Sequence, residues 1–143
     1  MSLRAAFFVT ERTAAFAYDA FSRGGGERPN LNGIFETGNL TCVEVSTLWA
    51  ILEKVELNFE RHVLPEMLGD GDGESWLHEF PIELTGLLSA LGESEIEEVA
   101  SDWAETEELR CLPSNLIPGL NELSRLARVA QAEGRQIYLW GSL

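Results

Sequence analysis

Hydrophobic positions recur along this chain with two different periods. In several stretches the apolar residues return every three or four positions, which is the spacing that builds one apolar face on a helix. Residues 5–9 and 137–140 form short, unbroken apolar runs of the β-prone kind instead. The pattern therefore predicts helices through the middle of the chain and one strand near each end.

The clearest helix start lies at Thr41, which stands three positions before Glu44 as a capping box requires. The apolar positions that follow continue to Val55 and extend the periodicity to Phe59, and Pro65 ends any helix that reaches it. Residues 41–55 are therefore predicted to be helical, with an extension up to residue 59.

Four further helices are predicted from the same period and from their boundary residues. Residues 11–21 follow Thr10, a predicted N-cap, with Ala14, Ala17, Tyr18 and Phe21 at helical spacing. A helix from Pro81 ends at Gly92, and Ser94 with Glu97 forms a second capping box that directs Ile96, Val99, Ala100 and Trp103 inward. The last helix covers residues 118–133 and stops at Gly134.

These elements predict a predominantly helical α+β fold. Two isolated strands are not stable alone, so we expect the N-terminal and C-terminal strands to pair and form a small sheet with four to five helices packed on it. Residues 1–143 are expected to form a single globular domain, because a chain of this length buries enough surface to fold without disulfide bonds or a structural metal. Cys42 and Cys111 are spaced too far apart for a zinc ligand pair, and free thiols indicate the cytoplasm.

Residues 5–10, 41–52 and 127–140 together resemble the YfbM-like group of uncharacterised bacterial proteins. That group opens with a short strand, carries a helix bearing a tryptophan, and closes with a helix that runs into a strand. The resemblance implies the same arrangement of elements here. It includes no catalytic motif and implies no activity.

The charge of the chain is unevenly distributed. The net charge is −14, yet residues 41–110 alone hold 18 acidic residues against Lys54, Arg61 and Arg110. Nucleic acids and anionic membranes are bound mainly by Lys and Arg, so we expect neither as a partner. No apolar run reaches the length of a signal peptide or a membrane span, and the protein is expected to be soluble.

Glu95, Glu98, Asp102 and Glu105 are predicted to lie along one outer face of the fourth helix. Like charges at this spacing destabilise a helix by about 0.2–0.5 kcal/mol per pair. A face that serves only solubility would normally mix the two signs of charge. The row is therefore our candidate partner-binding site, and a plain acidic surface is the alternative.

Three residues are candidates for chemistry. Cys42 lies at the predicted start of a helix, where backbone N–H groups favour the thiolate, although its alignment with Val45 and Trp49 favours burial as a core residue. His62 and His78 are the only histidines, and they are too few for a catalytic zinc site without carboxylate ligands. No resident metal or cofactor is expected.

Asp70, Asp72 and Glu74 resemble the beginning of a calcium-binding loop. Counted from Asp70, an EF-hand needs glycine at the sixth position and glutamate at the twelfth, and this chain has Ser75 and Pro81 there. A polar hinge is the preferred interpretation, and a cation site outside the EF-hand pattern stays open.

Taken together, the sequence favours a non-enzymatic interaction module of the inhibitor or immunity type that docks a basic partner protein. The alternatives are a small enzyme with a Cys42–His pair and a structural subunit that forms a homodimer. Neither a nucleophile motif nor a glycine-rich cofactor loop occurs in the sequence, which weakens the enzyme hypothesis.

Overall fold

The computed structural model describes residues 4–29, 31, 33–38, 40–68, 75–107 and 109–142. The predicted α+β fold is confirmed. The elements, in chain order, are β1 (Arg4–Thr10), α1 (Arg12–Ser22), β2 (Gly33–Gly38), α2 (Cys42–Glu53), β3 (Glu66–Leu68), β4 (Ser75–Glu79), α3 (Ile82–Ser89), α4 (Glu93–Ala104), a 3-10 turn (Pro113–Asn115), α5 (Ile117–Glu133) and β5 (Gln136–Ser142).

The described strands form one antiparallel sheet in the order β2-β1-β5-β4-β3. The predicted pairing of the N-terminal and C-terminal strands is confirmed, since β1 pairs with β5 from Arg4 opposite Ser142 to Thr10 opposite Gln136. Strands β2, β3 and β4 were not predicted. They extend the sheet on both sides of the central pair.

Helices cover both faces of the sheet, and each face has its own core. On one face, α2, α3, α4 and α5 pack against a core that includes Phe7, Val9, Ile137 and Leu139 of the central strands. On the other face, α1 packs against a smaller core that includes Phe8, Leu77, Tyr138 and Trp140. None of the helices that the structure describes has both the length and the apolar character needed to cross a membrane.

The face that α1 turns to the sheet agrees with the predicted apolar positions at Tyr18 but not at Ala17 or Phe21. The structure buries Ala15, Tyr18 and Asp19, whereas Phe21 is exposed. The reason is polar: Nε1 of Trp140 in β5 donates a hydrogen bond of 2.9 Å to the Asp19 carboxylate. A buried indole N–H needs an acceptor, and Asp19 supplies one.

The predicted N-cap of α1 is wrong by one residue. Glu11 occupies the N-cap position, and Thr10 is instead the last residue of β1 with its hydroxyl buried and without a hydrogen-bond partner. Thr10 pairs with Gln136 across the sheet, which keeps it in the strand.

Helix α2 begins as predicted and ends earlier than its periodicity indicated. The capping box of Thr41 and Glu44 is present, and Lys54 closes the helix in the left-handed conformation with φ 60°. Val55 and Phe59 therefore lie beyond the helix, with 54% and 59% of their surface exposed. Residues 54–64 form an irregular segment that returns the chain towards the sheet.

The boundary between α3 and α4 is also corrected. Gly92, which was predicted to end α3, is the N-cap of α4, and its backbone N–H donates to the Glu95 side chain at 3.4 Å. Ser94 is thus inside the helix and does not cap it. The predicted inward face is confirmed at Ile96, Ala100 and Trp103, which are all buried.

Candidate functional site

The outer face of α4 carries the acidic row that the sequence indicated. Glu95, Glu98 and Asp102 are exposed, and Glu105 is exposed at the C-cap. We call these four residues the acidic face. Since the opposite side of α4 is buried in the core, the acidic face points to solvent by necessity.

The acidic face is not neutralised by the rest of the fold. Within the described residues, none of its carboxylates lies within ion-pair distance of a basic side chain. Among the described residues, the hydrogen bond that the Glu95 carboxylate accepts comes from the backbone N–H of Gly92. The last turn of α4 also lacks a basic residue to offset the helix dipole. The negative charge of this helix is therefore not offset by an ion pair within the described fold.

Trp103 fixes α4 firmly to α2. Its indole Nε1 donates to the backbone carbonyl of Glu44 at 2.9 Å and lies 3.2 Å from the Thr47 hydroxyl. The same side chain is 1% exposed and belongs to the core. A large buried side chain with a satisfied N–H holds a helix in one orientation, so the acidic face is presented rigidly.

Cys42 lies at the first position of α2, as predicted, and it is half-buried against the core. Burial raises the pKa of its thiol, and the nearby carboxylates of Glu44 and Glu66 raise it further. These effects outweigh the help of the backbone at the helix start. The environment disfavours the thiolate that a nucleophile requires.

His62 is bound into an ion-pair cluster at the end of α2. Its Nδ1 accepts the backbone N–H of Asn58 at 3.1 Å, and its Nε2 lies 2.7 Å from Oε1 of Glu53. Because Nδ1 is an acceptor, the proton of the neutral ring is on Nε2 and is donated to Glu53. Both nitrogens are thus committed to the fold, and neither is free to serve as a base.

Arg61 completes this cluster, which we call the α2 staple: Glu53, Arg61 and His62. The guanidinium holds the Glu53 carboxylate through two hydrogen bonds, one of them 2.9 Å from Nε. Arg61 and His62 also flank the ring of Trp49, at 5.7 Å and 5.2 Å from its centroid. The hydrogen bond from Arg61, followed by that from His62, lowers the pKa of Glu53 to about 2.

His78 lies in β4, opposite Glu66 of β3, and is 7% exposed. Burial lowers the pKa of its ring, and the Glu66 carboxylate opposes that effect. Its Nδ1 is buried without a hydrogen-bond partner. In the described part of the chain no hydrogen bond joins Cys42 to either histidine.

Metal ligands do not converge in the part of the chain that the structure describes. Among these residues, no group of three histidine, cysteine or acidic side chains could hold an ion. Asp70, Asp72 and Glu74 lie outside the described residues, and so does Glu108, which continues the acidic run after α4.

A cleft of about 500 Å³ opens between the outer edge of β2 and the start of α5. Its described lining residues are Phe35, Thr37, Gly38, Leu40, Trp103, Leu109, Cys111, Asn115, Leu116, Pro118, Gly119 and Leu123. The sequence did not indicate this cleft, because its walls come from four separate segments and β2 itself was not predicted.

The chain matches no protein-family model, no curated protein and no solved structure.

Proposed function

We propose that this protein is a non-enzymatic interaction module of the inhibitor or immunity type, which acts in the cytoplasm and docks a basic partner protein on the acidic face. One observation carries the proposal: four exposed carboxylates lie on a rigidly anchored helix without a counter-ion in the described fold. The repulsion among them costs stability, and a basic partner would relieve it.

The physics of association supports this role. Complementary charge steers two proteins towards each other and fixes their register more than it adds raw affinity. A net charge of −14 extends the attraction to any basic surface, and the acidic face concentrates it on one helix. The raised pKa of the Cys42 thiol and the hydrogen bonds of both His62 ring nitrogens argue against nucleophilic catalysis by these residues.

Kinship to the YfbM-like group is also a proposal. It is supported by the opening strand β1, by Trp49 in α2, and by the direct passage of α5 into β5. No activity follows from it.

The decisive experiment compares two triple variants of equal net charge. In the first, Glu98, Asp102 and Glu105 of the acidic face are replaced by Gln. In the second, the matched control, Glu27, Glu56 and Glu60 are replaced by Gln; these three are exposed and their carboxylates have no ion pair within the described residues. The partner is captured from the source lysate at low salt, and its association rate is measured at two ionic strengths.

We expect the acidic-face variant to associate at least tenfold more slowly than wild type at low salt, and the control variant to stay close to wild type. The wild-type rate should fall steeply with added salt, since exposed charges are screened over about 8 Å at physiological ionic strength. A captured partner that binds all three proteins equally fast and without salt dependence would contradict the proposal.

A further inference from the structure

The cleft beside β2 differs from the rest of this molecule in its chemistry. Not one of its described lining residues is charged, although 24% of the chain is. Two other cavities of the described fold, beside Arg4 and beside Glu53, both contain acidic and basic side chains. The cleft is therefore a local exception to a strongly charged surface.

The floor of the cleft is the hydrophobic core. Trp103 and Leu123 are 1% and 0% exposed, and Leu40 and Leu116 are 8% exposed each. Phe35 forms one wall, held in place by its stacking on Phe7 with ring centroids 6.1 Å apart. The site thus combines two aromatic rings with aliphatic walls, which is the usual composition of a small-molecule pocket.

Gly119 keeps the cleft open between α5 and β2. A Cβ atom at this position would lie 3.7 Å from the Phe35 ring, at ordinary contact distance. Any side chain longer than alanine would therefore extend into the space between the two walls. Polar groups are few here: the Thr37 hydroxyl, the Asn115 amide and the Cys111 thiol are the described side chains that could hydrogen-bond a ligand.

We propose that this cleft binds a small, neutral ring compound with one hydrogen-bonding group. The volume falls within the range of about 300–1,000 Å³ that is typical of ligand sites. A charged ligand would lose its hydration without gaining a counter-ion from the described walls, whereas a neutral ring would pack against Phe35 and the aliphatic side chains of the walls.

A second copy of the chain is a poorer occupant. If two β2 strands paired, Phe35 and Thr37 would be the side chains that each copy offers on the cleft side, and Phe35 is already packed on its own Phe7. The two copies would also each bring a net charge of −14. The site involves none of the four carboxylates of the acidic face, so the ligand proposal and the docking proposal can fail separately.

The test uses three probes that share one ring system: 1-naphthalenemethanol, 1-naphthoate and 1-naphthylmethylammonium. Each headgroup is attached directly or through one carbon, so that burying the ring also buries the head. Binding is measured by calorimetry. Alkylation of Cys111 by iodoacetamide is followed by mass spectrometry in a Cys42→Ser background, because Cys111 lines the cleft and Cys42 does not.

We expect the neutral alcohol to bind at least tenfold more tightly than either charged probe and to slow Cys111 alkylation at least fivefold. Gly119→Leu should abolish both effects. Gly86→Leu is the matched control: Gly86 lies in α3, and a Cβ there meets only the end of the Gln131 side chain, at 3.9 Å. Both variants are first checked by thermal unfolding, and Gly119→Val, whose side chain is still longer than alanine, replaces the larger substitution if Gly119→Leu does not fold.

Three results would overturn the proposal. The first is that none of the probes protects Cys111. The second is equal protection by all three probes that survives Gly119→Leu, which would indicate non-specific adsorption. The third is protection of Cys111 that rises with protein concentration in the absence of any probe, which would show that a second copy covers the cleft.

Discussion

The end of α2 and the outer face of α4 are both rich in carboxylates, but among the described residues of these two regions the carboxylates are paired with basic side chains only at the end of α2. Glu53 is held by Arg61 and His62 within the α2 staple, whereas the described fold provides no basic partner for Glu98 or Asp102. An acid that supports the fold is thus paired and partly buried. The acids of α4 repel one another at a cost in stability, and the described fold gives them no ion pair.

The largest effect should come from removing the centre of the staple. His62→Ala deletes a buried ring and leaves the backbone N–H of Asn58 without its acceptor. We expect a loss of about 2–3 kcal/mol in the free energy of unfolding, measured by urea denaturation. Glu98→Ala, the matched change on α4, should stay within about 0.5 kcal/mol. If both variants lost the same free energy of unfolding, the staple and the acidic face would not differ in their contribution to stability.

The staple should also impose a pH dependence on the stability of the fold. The folded pKa of Glu53 is about 2, below the value of about 4.3 for an unfolded glutamate. Its contribution to stability is therefore complete above about pH 5 and is lost as the pH falls towards 2. The stability difference between wild type and Glu53→Gln should shrink over that window. If the difference is the same at pH 7 and pH 3, the ion pair does not support the fold.

The smallest effect has the opposite sign. Replacing Glu98, Asp102 and Glu105 by Gln removes the three like-charge pairs of the acidic face at helical spacing, and should raise the free energy of unfolding by about 0.6–1.5 kcal/mol. The Glu27, Glu56 and Glu60 triple variant reports the effect of net charge alone, because these acids lie outside the helices. A loss of stability in the acidic-face variant would mean that these carboxylates have a structural role.

The contrast shows what the sequence could and could not predict. Capping at Thr41 and burial of Trp103 depend on local spacing, and both were predicted from it. The end of α2 was not, since Val55 and Phe59 continue the apolar period beyond the point where Lys54 turns the chain. The staple that holds the following segment joins the last residue of α2 to residues eight and nine positions further along the chain, a spacing that no periodicity reveals.

The remaining gaps have a long-range origin. Asp19 is buried because the indole N–H of Trp140, 121 positions away, donates a hydrogen bond to it. Helix periodicity cannot predict such a contact. The strands β3 and β4 have three and five residues, which is too short for their alternation to stand out. The cleft depends on β2 and the start of α5 meeting in space. The acidic row of α4, by contrast, is contiguous and was visible in the sequence.

The place of β5 has a consequence for how the chain is made. This strand lies between β1 and β4, so it joins the two halves of the sheet, yet it is the last described element in the sequence. Until β5 has left the ribosome, β1 and β4 have no strand between them. The sheet on which the helices pack is therefore incomplete. In a nascent chain the apolar faces of β1 and β4 therefore remain exposed until β5 has been synthesised, and only then can the two halves of the sheet fold cooperatively.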